Sequence, residues 1–74
     1  MKLNNELNFE DLGDYGFCLR ATGDWVYYLG TIENPLMATI RVLPDRKVVL
    51  RFRNPGTIEL PKILSELIKD EVFV

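Results

Sequence analysis

Four short runs rich in β-branched and aromatic residues follow one another in the middle of the chain, and each run ends at turn-forming residues. The runs are Tyr15 to Thr22, Trp25 to Ile32, Leu36 to Leu43, and Lys47 to Arg53. Such residues favour extended strands, and short breaks between runs favour hairpins that join antiparallel neighbours. The pattern therefore predicts a four-stranded antiparallel meander, in which consecutive strands lie side by side.

The lengths of the breaks predict how the strands pair. Gly23-Asp24 suits a two-residue hairpin loop, because glycine accepts a positive φ at low cost. Glu33-Asn34-Pro35 and Pro44-Asp45-Arg46 suit three-residue loops, although both lack the glycine that such loops often contain. Because side chains alternate between the two faces of a strand, these loop lengths assign every strand residue to one face of the sheet.

This pairing predicts one largely apolar face. Its members are Phe17, Leu19, Ala21, Val26, Tyr28, Gly30, Ala38, Ile40, Val42, Val48, Leu50 and Phe52. After Asn54-Pro55-Gly56, apolar residues recur at helical spacing, and Pro61 is compatible with a first helical turn but not with an interior. We expect the apolar side of this helix to cover the apolar sheet face. That side consists of Leu60, Ile63, Leu64, Leu67 and Ile68.

The predicted fold is therefore α+β, with the element order β-β-β-β-α. At the start of the chain, Asn5 to Leu12 is predicted to form a short helix that ends at Gly13 and turns Leu7, Phe9 and Leu12 inward. At the end of the chain, Val72-Phe73-Val74 is expected either to tuck under the helix or to pair as a short strand.

Composition limits the class of protein. With 74 residues and 47% hydrophobic content, residues 1–74 are expected to form one small domain. Cys18 is the only cysteine and there is no histidine, so we expect no internal disulfide, no metal site and no cofactor. The first residues lack a signal-peptide pattern, and no stretch reaches the roughly 18 apolar residues of a membrane span. A cytoplasmic location without membrane contact is expected.

Charge is sorted along the sequence although the net charge is only −2. Residues 1–14 hold four carboxylates against Lys2, a sum of −3, whereas residues 39–53 hold five cations against Asp45, a sum of +4. The chain after residue 53 is acidic again. This distribution predicts a local basic surface on a protein that has no overall attraction for anions.

The second face of the predicted sheet combines aromatic and basic side chains. We predict that it binds a partner, because a sheet face that is merely solvated would be mostly polar. The predicted partner-binding residues are Trp25, Tyr27, Leu43, Arg20, Arg41, Arg51, Arg53 and Lys47, with Leu29 in the apolar patch. Trp, Tyr and Arg often dominate binding energy at protein interfaces. The sequence therefore favours a protein-binding module, of regulator or inhibitor type, that recognises an acidic protein surface.

Other interpretations of this face remain open. Aromatic side chains flanked by Arg and Lys also bind single-stranded nucleic acid, by stacking and by charge. A homodimer could pair two such faces around Trp25, and the acidic segment 1–14 could instead lie over the face within one chain. A separate acidic cluster on the outside of the helix could meet a basic partner. Its members are Glu66, Asp70 and Glu71.

Catalysis is the least supported class of function. General acid–base chemistry most often uses histidine, which is absent, and Ser65 is predicted on the exposed side of the helix without a base nearby. Cys18 lies within a predicted strand, where a structural thiol is the simpler interpretation. We therefore expect no enzyme activity. Small bacterial and phage accessory proteins that act by binding offer an analogy in size alone.

Overall fold

The computed structural model describes residues 1–29, 38–52 and 59–74, except for the side chains of residues 52 and 59–61. A 3-10 helix, Phe9–Tyr15, precedes strands β1 (Cys18–Leu19), β2 (Trp25–Leu29), β3 (Ala38–Val42) and β4 (Val48–Phe52), and helix α1 (Glu59–Lys69) follows them. The strands form one antiparallel sheet in the order β1-β2-β3-β4. This confirms the predicted α+β fold. Predictions for residues 30–37 and 53–58, including Gly30 and Arg53, lie outside the described residues.

The pairing of β3 with β4 agrees with the prediction. Val42 lies opposite Val48, and Ile40 lies opposite Leu50. The connecting loop has three residues, as predicted, because the Leu43 N–H donates to the Lys47 carbonyl at 2.9 Å across it. These two strands therefore present the expected side chains to each face of the sheet.

Strand β2 is turned over relative to the prediction. Trp25, rather than Val26, lies opposite Val42, so Trp25, Tyr27 and Leu29 share the face of Val42 and Ile40. Residues 25, 27 and 29 pack against the buried core, whereas Tyr28, predicted in the core, is 38% exposed on the other side. The predicted assignment of β2 residues to faces was therefore wrong.

The loop before β2 accounts for one of the two register shifts that invert this strand. The Arg20 N–H donates to the Asp24 carbonyl at 2.8 Å, so the loop is Ala21-Thr22-Gly23 rather than Gly23-Asp24. Gly23 has φ 90 and occupies the left-handed final position of a three-residue loop. The pairing of β2 with β3 also differs from the prediction by one residue, and the two shifts together invert β2 alone.

The core lies on one side of the sheet, beneath α1 and the 3-10 helix. Its buried members are Leu3, Leu12, Phe17, Ala38, Ile40, Val42, Leu67, Val72 and Phe73. From α1, Ile63 and Leu64 pack against this cluster, but Ile68 is 51% exposed, contrary to the prediction. Leu19 was also predicted in the core and is 60% exposed, because β1 is a two-residue edge strand.

The two ends of the chain pair with each other on this core side. The Lys2 N–H donates to the Val74 carbonyl and the Val74 N–H donates to the Lys2 carbonyl, both at 2.8 Å. The adjacent pair, Leu3 and Phe73, is buried. The end of the chain thus combines both predicted arrangements, since Val72 and Phe73 are buried and the segment is also paired, while Val74 is exposed.

The amino-terminal helix is shorter and later than predicted. It is a 3-10 helix that begins after Asn8, whose backbone N–H donates to the Asp11 carboxylate at 2.9 Å. It ends at Gly16, with φ 91, and not at Gly13. Leu12 is fully buried as expected, and Leu7 and Phe9 pack against the core. In the described part of the chain, no helix combines the length and the apolar character needed to cross a bilayer.

Candidate functional site

The side of the sheet opposite the core carries most of the basic residues that the sequence singled out. The strand pairing brings Cys18, Arg20, Asp24, Val26, Tyr28, Thr39, Arg41, Leu43, Lys47, Val49 and Arg51 to this side, which we name the arginine face. The row Tyr28, Thr39 and Arg51 runs across β2, β3 and β4. The neighbouring row places Val26 beside Arg41. Cations from three strands therefore converge over the middle of the sheet.

An open pocket of about 270 Å³ lies at this convergence. Its walls come from Arg20, Val26, Tyr28, Ala38, Thr39, Arg41 and Arg51. Among the described residues of this lining, every polar side chain is a guanidinium or a hydroxyl, and none is a carboxylate. Guanidinium groups only donate hydrogen bonds, and hydroxyl groups can donate them. The pocket is therefore suited to an anion.

Arg20 is held in place by Tyr28. Its Nη1 donates a hydrogen bond to the Tyr28 hydroxyl, and its guanidinium carbon lies 5.8 Å from the ring centroid. That distance is near the outer limit of a cation–π contact, so the hydroxyl contact fixes the arrangement. Val26 lies between Asp24 and Tyr28 on the same face of β2 and is only 2% exposed, although it faces away from the core.

Arg41 is paired with the carboxylate at the start of β2. Its Nε lies 3.5 Å from Oδ2 of Asp24, and the two side chains are 44% and 14% exposed. At this exposure the pair contributes at most about 1 kcal/mol, because water screens it. Asp24 approaches the Nε atom of the guanidinium, and no hydrogen bond from the Nη atoms to another described residue is seen.

The Arg51 side chain is exposed on β4 and shows no ion pair or hydrogen bond with any other residue that the structure describes. Leu43 and Lys47 lie on the same face but at the hairpin end, outside the lining of the pocket. Of the predicted site residues, the pocket thus brings together Arg20, Arg41 and Arg51. Their role in binding stays a prediction.

Trp25 and Tyr27 do not lie on the arginine face, which corrects the predicted composite surface. Both are half-buried against the core, where Gly13 lies close to the Trp25 ring and the Tyr27 ring centroid is 5.5 Å from that of Phe17. The physical reason is the inverted register of β2. Tyr28 takes their place on the arginine face, together with Thr39 and Val26.

One alternative was that residues 1–14 cover the aromatic and basic residues of the predicted surface together. The segment packs against the aromatic residues but does not pair with the arginines. This segment packs on the core side, against Trp25, and its buried Leu12 joins the core. The ion pair seen among the described residues is Arg41 with Asp24, so the carboxylates of residues 1–14 do not neutralise the arginines there. The arginine face is open within the described chain.

Comparisons with protein-family models, with curated proteins and with solved structures give no match. Within residues 1–29, 38–52 and 59–74, no three His, Cys, Asp or Glu side chains are grouped so that they could hold a metal ion. The interpretation of the site therefore depends on its geometry and charge.

Proposed function

We propose that the protein is a non-enzymatic binding module, of regulator or inhibitor type, whose arginine face binds an acidic surface of another protein. The observation that supports this most is the pocket among Arg20, Arg41 and Arg51, which is lined by donors and left open by the amino-terminal segment. An arginine-rich concave surface is a typical anchor for carboxylates or other anions of a partner.

The distribution of charge supports the same proposal. In its described part, the arginine face holds Arg20, Arg41, Arg51 and Lys47 against one carboxylate, Asp24, in a protein with a net charge of −2. A local basic patch on an acidic protein attracts an acidic patch of a partner without a general affinity for polyanions. This favours a partner with a localised acidic surface.

The nucleic-acid alternative has less support, because stacking needs exposed rings. With Trp25 and Tyr27 packed against the core, the described part of the arginine face offers Tyr28 as its aromatic ring. A twofold homodimer through this face would bring like-charged arginines together, which costs free energy unless anions lie between them. Binding and sedimentation measurements distinguish both alternatives from the proposed function.

The experiment measures the binding of a fluorescein-labelled polyglutamate peptide by anisotropy at low salt. We expect Arg41→Glu combined with Arg51→Glu to weaken binding by about a hundredfold, since two charge-assisted contacts are replaced by repulsion. The matched control is Lys62→Glu with Lys69→Glu, which changes the net charge equally at exposed positions of α1. This control should bind the peptide nearly as well as the original protein.

Three results would contradict the proposal. Equal loss of binding in the control would show that only net charge matters. Binding of a single-stranded oligonucleotide more tightly than the peptide would favour the nucleic-acid alternative. Concentration-dependent dimerisation that Arg41→Glu with Arg51→Glu abolishes, measured by sedimentation, would favour the homodimer.

A further inference from the structure

We propose that the pocket on the arginine face binds a dianionic phosphate monoester, carried on a side chain of the partner, in preference to a carboxylate. This inference depends on the proposed function and names the chemical group that the pocket recognises. Four observations carry it: the donors that line the pocket, its charge, its partly ordered guanidinium groups and its apolar floor.

The donors come from all four strands of the sheet or from their ends. Arg20 adjoins β1, Tyr28 belongs to β2, Thr39 and Arg41 to β3, and Arg51 to β4. A phosphate monoester presents three acceptor oxygens in a tetrahedral arrangement, so donors that surround it can all be used. A planar carboxylate has two oxygens and is served by one guanidinium.

Charge also favours a dianion. Three guanidinium groups line the pocket, and the carboxylate of Asp24 lies 3.5 Å from one of them, which leaves a local charge of about +2. A phosphate monoester carries about −1.5 to −2 near neutral pH, whereas a carboxylate carries −1. A carboxylate would leave one cation of the pocket unbalanced.

The pocket is partly organised before any ligand binds. The Tyr28 hydroxyl accepts a hydrogen bond from Arg20, which leaves its own proton to be donated to a ligand. Asp24 contacts the Nε atom of Arg41, and the Nη atoms make no hydrogen bond to another described residue, so they can donate to phosphate oxygens. Less rotational freedom is lost on binding when guanidinium groups are already held.

The floor of the pocket is apolar. Val26, the apolar side chain that the described lining presents on the arginine face, is 2% exposed. Apolar walls exclude water and strengthen the attraction between the arginines and an anion. The pocket is open to solvent on one side, so a phosphate attached to a protruding side chain can enter while the rest of the partner stays outside.

The experiment follows backbone amide signals of ¹⁵N-labelled protein during titration with phenyl phosphate and, separately, with benzoate and inorganic phosphate. Phenyl phosphate should shift the signals of Val26, Thr39 and Arg41 and should bind at least about tenfold more tightly than benzoate near pH 7.5. Benzoate has the same ring and one charge, so it isolates the effect of the second charge and third oxygen.

The affinity for phenyl phosphate should rise about tenfold from pH 5 to pH 7.5. The phosphate loses its second proton near pH 6, so the dianion is the minor form at the lower pH and the dominant form at the higher pH. Arginines stay protonated throughout this range, and the chain has no histidine. The other titratable side chains described on this face are Cys18, Asp24, Tyr28 and Lys47, and none of them is a histidine.

Variants locate the binding. Arg51→Gln should weaken phenyl phosphate binding about tenfold, because it removes a charged donor of the pocket. Lys47→Gln removes the same charge from the same face but outside the pocket lining, and it should change the affinity less than twofold. Dispersed amide spectra would show that each variant is folded, so that a loss of binding could be attributed to the pocket.

The possible failures can be told apart. Equal binding of benzoate and phenyl phosphate, without a rise with pH, overturns the phosphate inference and leaves the proposed function standing. Inorganic phosphate that binds more than tenfold tighter than phenyl phosphate overturns recognition on a side chain and identifies a free-phosphate site. If the polyglutamate peptide binds and neither phosphate compound does, only the inference fails. If none of these anions binds, the proposed function fails too.

Discussion

The two hairpin loops that the structure describes have the same backbone plan but different residues at their most constrained position. In the first loop the Gly23 N–H donates to the Arg20 carbonyl at 2.9 Å, and in the second the Arg46 N–H donates to the Leu43 carbonyl at 2.8 Å. Both donors have a positive φ, 90 at Gly23 and 74 at Arg46. Glycine adopts this conformation without cost, whereas arginine does not.

The contacts of Arg46 explain why a side chain is retained there. Its Nη1 donates to the backbone carbonyls of Asn4 and Leu7, each at 2.8 Å, and its guanidinium carbon lies 5.0 Å from the ring centroid of Phe9. The second loop therefore fastens the amino-terminal segment to the sheet. The first loop makes no comparable contact among the described residues and sets only the register of β2.

Removal of the Arg46 side chain should have the largest effect on stability. We expect Arg46→Ala to lower the free energy of unfolding by about 3 kcal/mol, because two part-buried carbonyls lose a charged donor while the strained φ remains. Urea unfolding, followed by circular dichroism, measures the change.

The matched control at this position is Arg46→Gly, which removes the same contacts but relieves the backbone strain. It should be about 1 kcal/mol more stable than Arg46→Ala. Equal stabilities of the two variants would show that the left-handed conformation at residue 46 costs nothing. A variant Arg46→Ala as stable as the original protein would contradict the fastening role.

Gly23→Ala should have a smaller effect, a loss of about 1–2 kcal/mol, because only strain is introduced. A Cβ at this position would lie 3.6 Å from the Pro44 side chain, an ordinary contact, so crowding adds little. Gly23→Asn is the control, since asparagine tolerates the left-handed region better than alanine. The same urea assay tests both, and equal losses for alanine and asparagine would contradict the strain argument.

The same loops show how far the fold could be predicted from the sequence. Pro44-Asp45-Arg46 has only one simple placement between its strands, so the pairing of β3 and β4 was predicted correctly. Gly23-Asp24 resembles a two-residue turn, and the actual use of Gly23 as the third loop residue was missed. A glycine after two small or polar residues is the signal that favours the three-residue loop.

The hydrophobic pattern could not correct this error. Residues 25–29 are Trp, Val, Tyr, Tyr and Leu, so both faces of β2 are apolar and either register gives a plausible core. Arg41 lies between Ile40 and Val42, and Arg51 lies between Leu50 and Phe52, so alternation with apolar residues placed both arginines on the correct face. The sequence thus predicted correctly the face on which the arginines of the pocket lie, and it predicted wrongly the face of Trp25 and Tyr27.

The smallest expected change in stability concerns the residue that follows the first loop. Asp24→Asn should alter the free energy of unfolding by less than about 1 kcal/mol, because the pair with Arg41 is largely solvent-screened. Its effect on binding should be favourable, since the pocket gains charge and Arg41 becomes fully available. We expect phenyl phosphate affinity to rise about threefold, as measured by the amide titration.

The counterpart of Asp24 in the second loop is Lys47, which follows Arg46 as Asp24 follows Gly23. The reciprocal change Lys47→Asn should leave phenyl phosphate affinity within twofold, because Lys47 lies outside the pocket lining. If Asp24→Asn instead weakens binding, the carboxylate positions Arg41 more than it neutralises it. Asp24, which follows the first loop, would then organise the pocket, just as Arg46 in the second loop organises the amino-terminal segment. The two loops would thus differ in which part of the molecule they organise, the binding site or the fold.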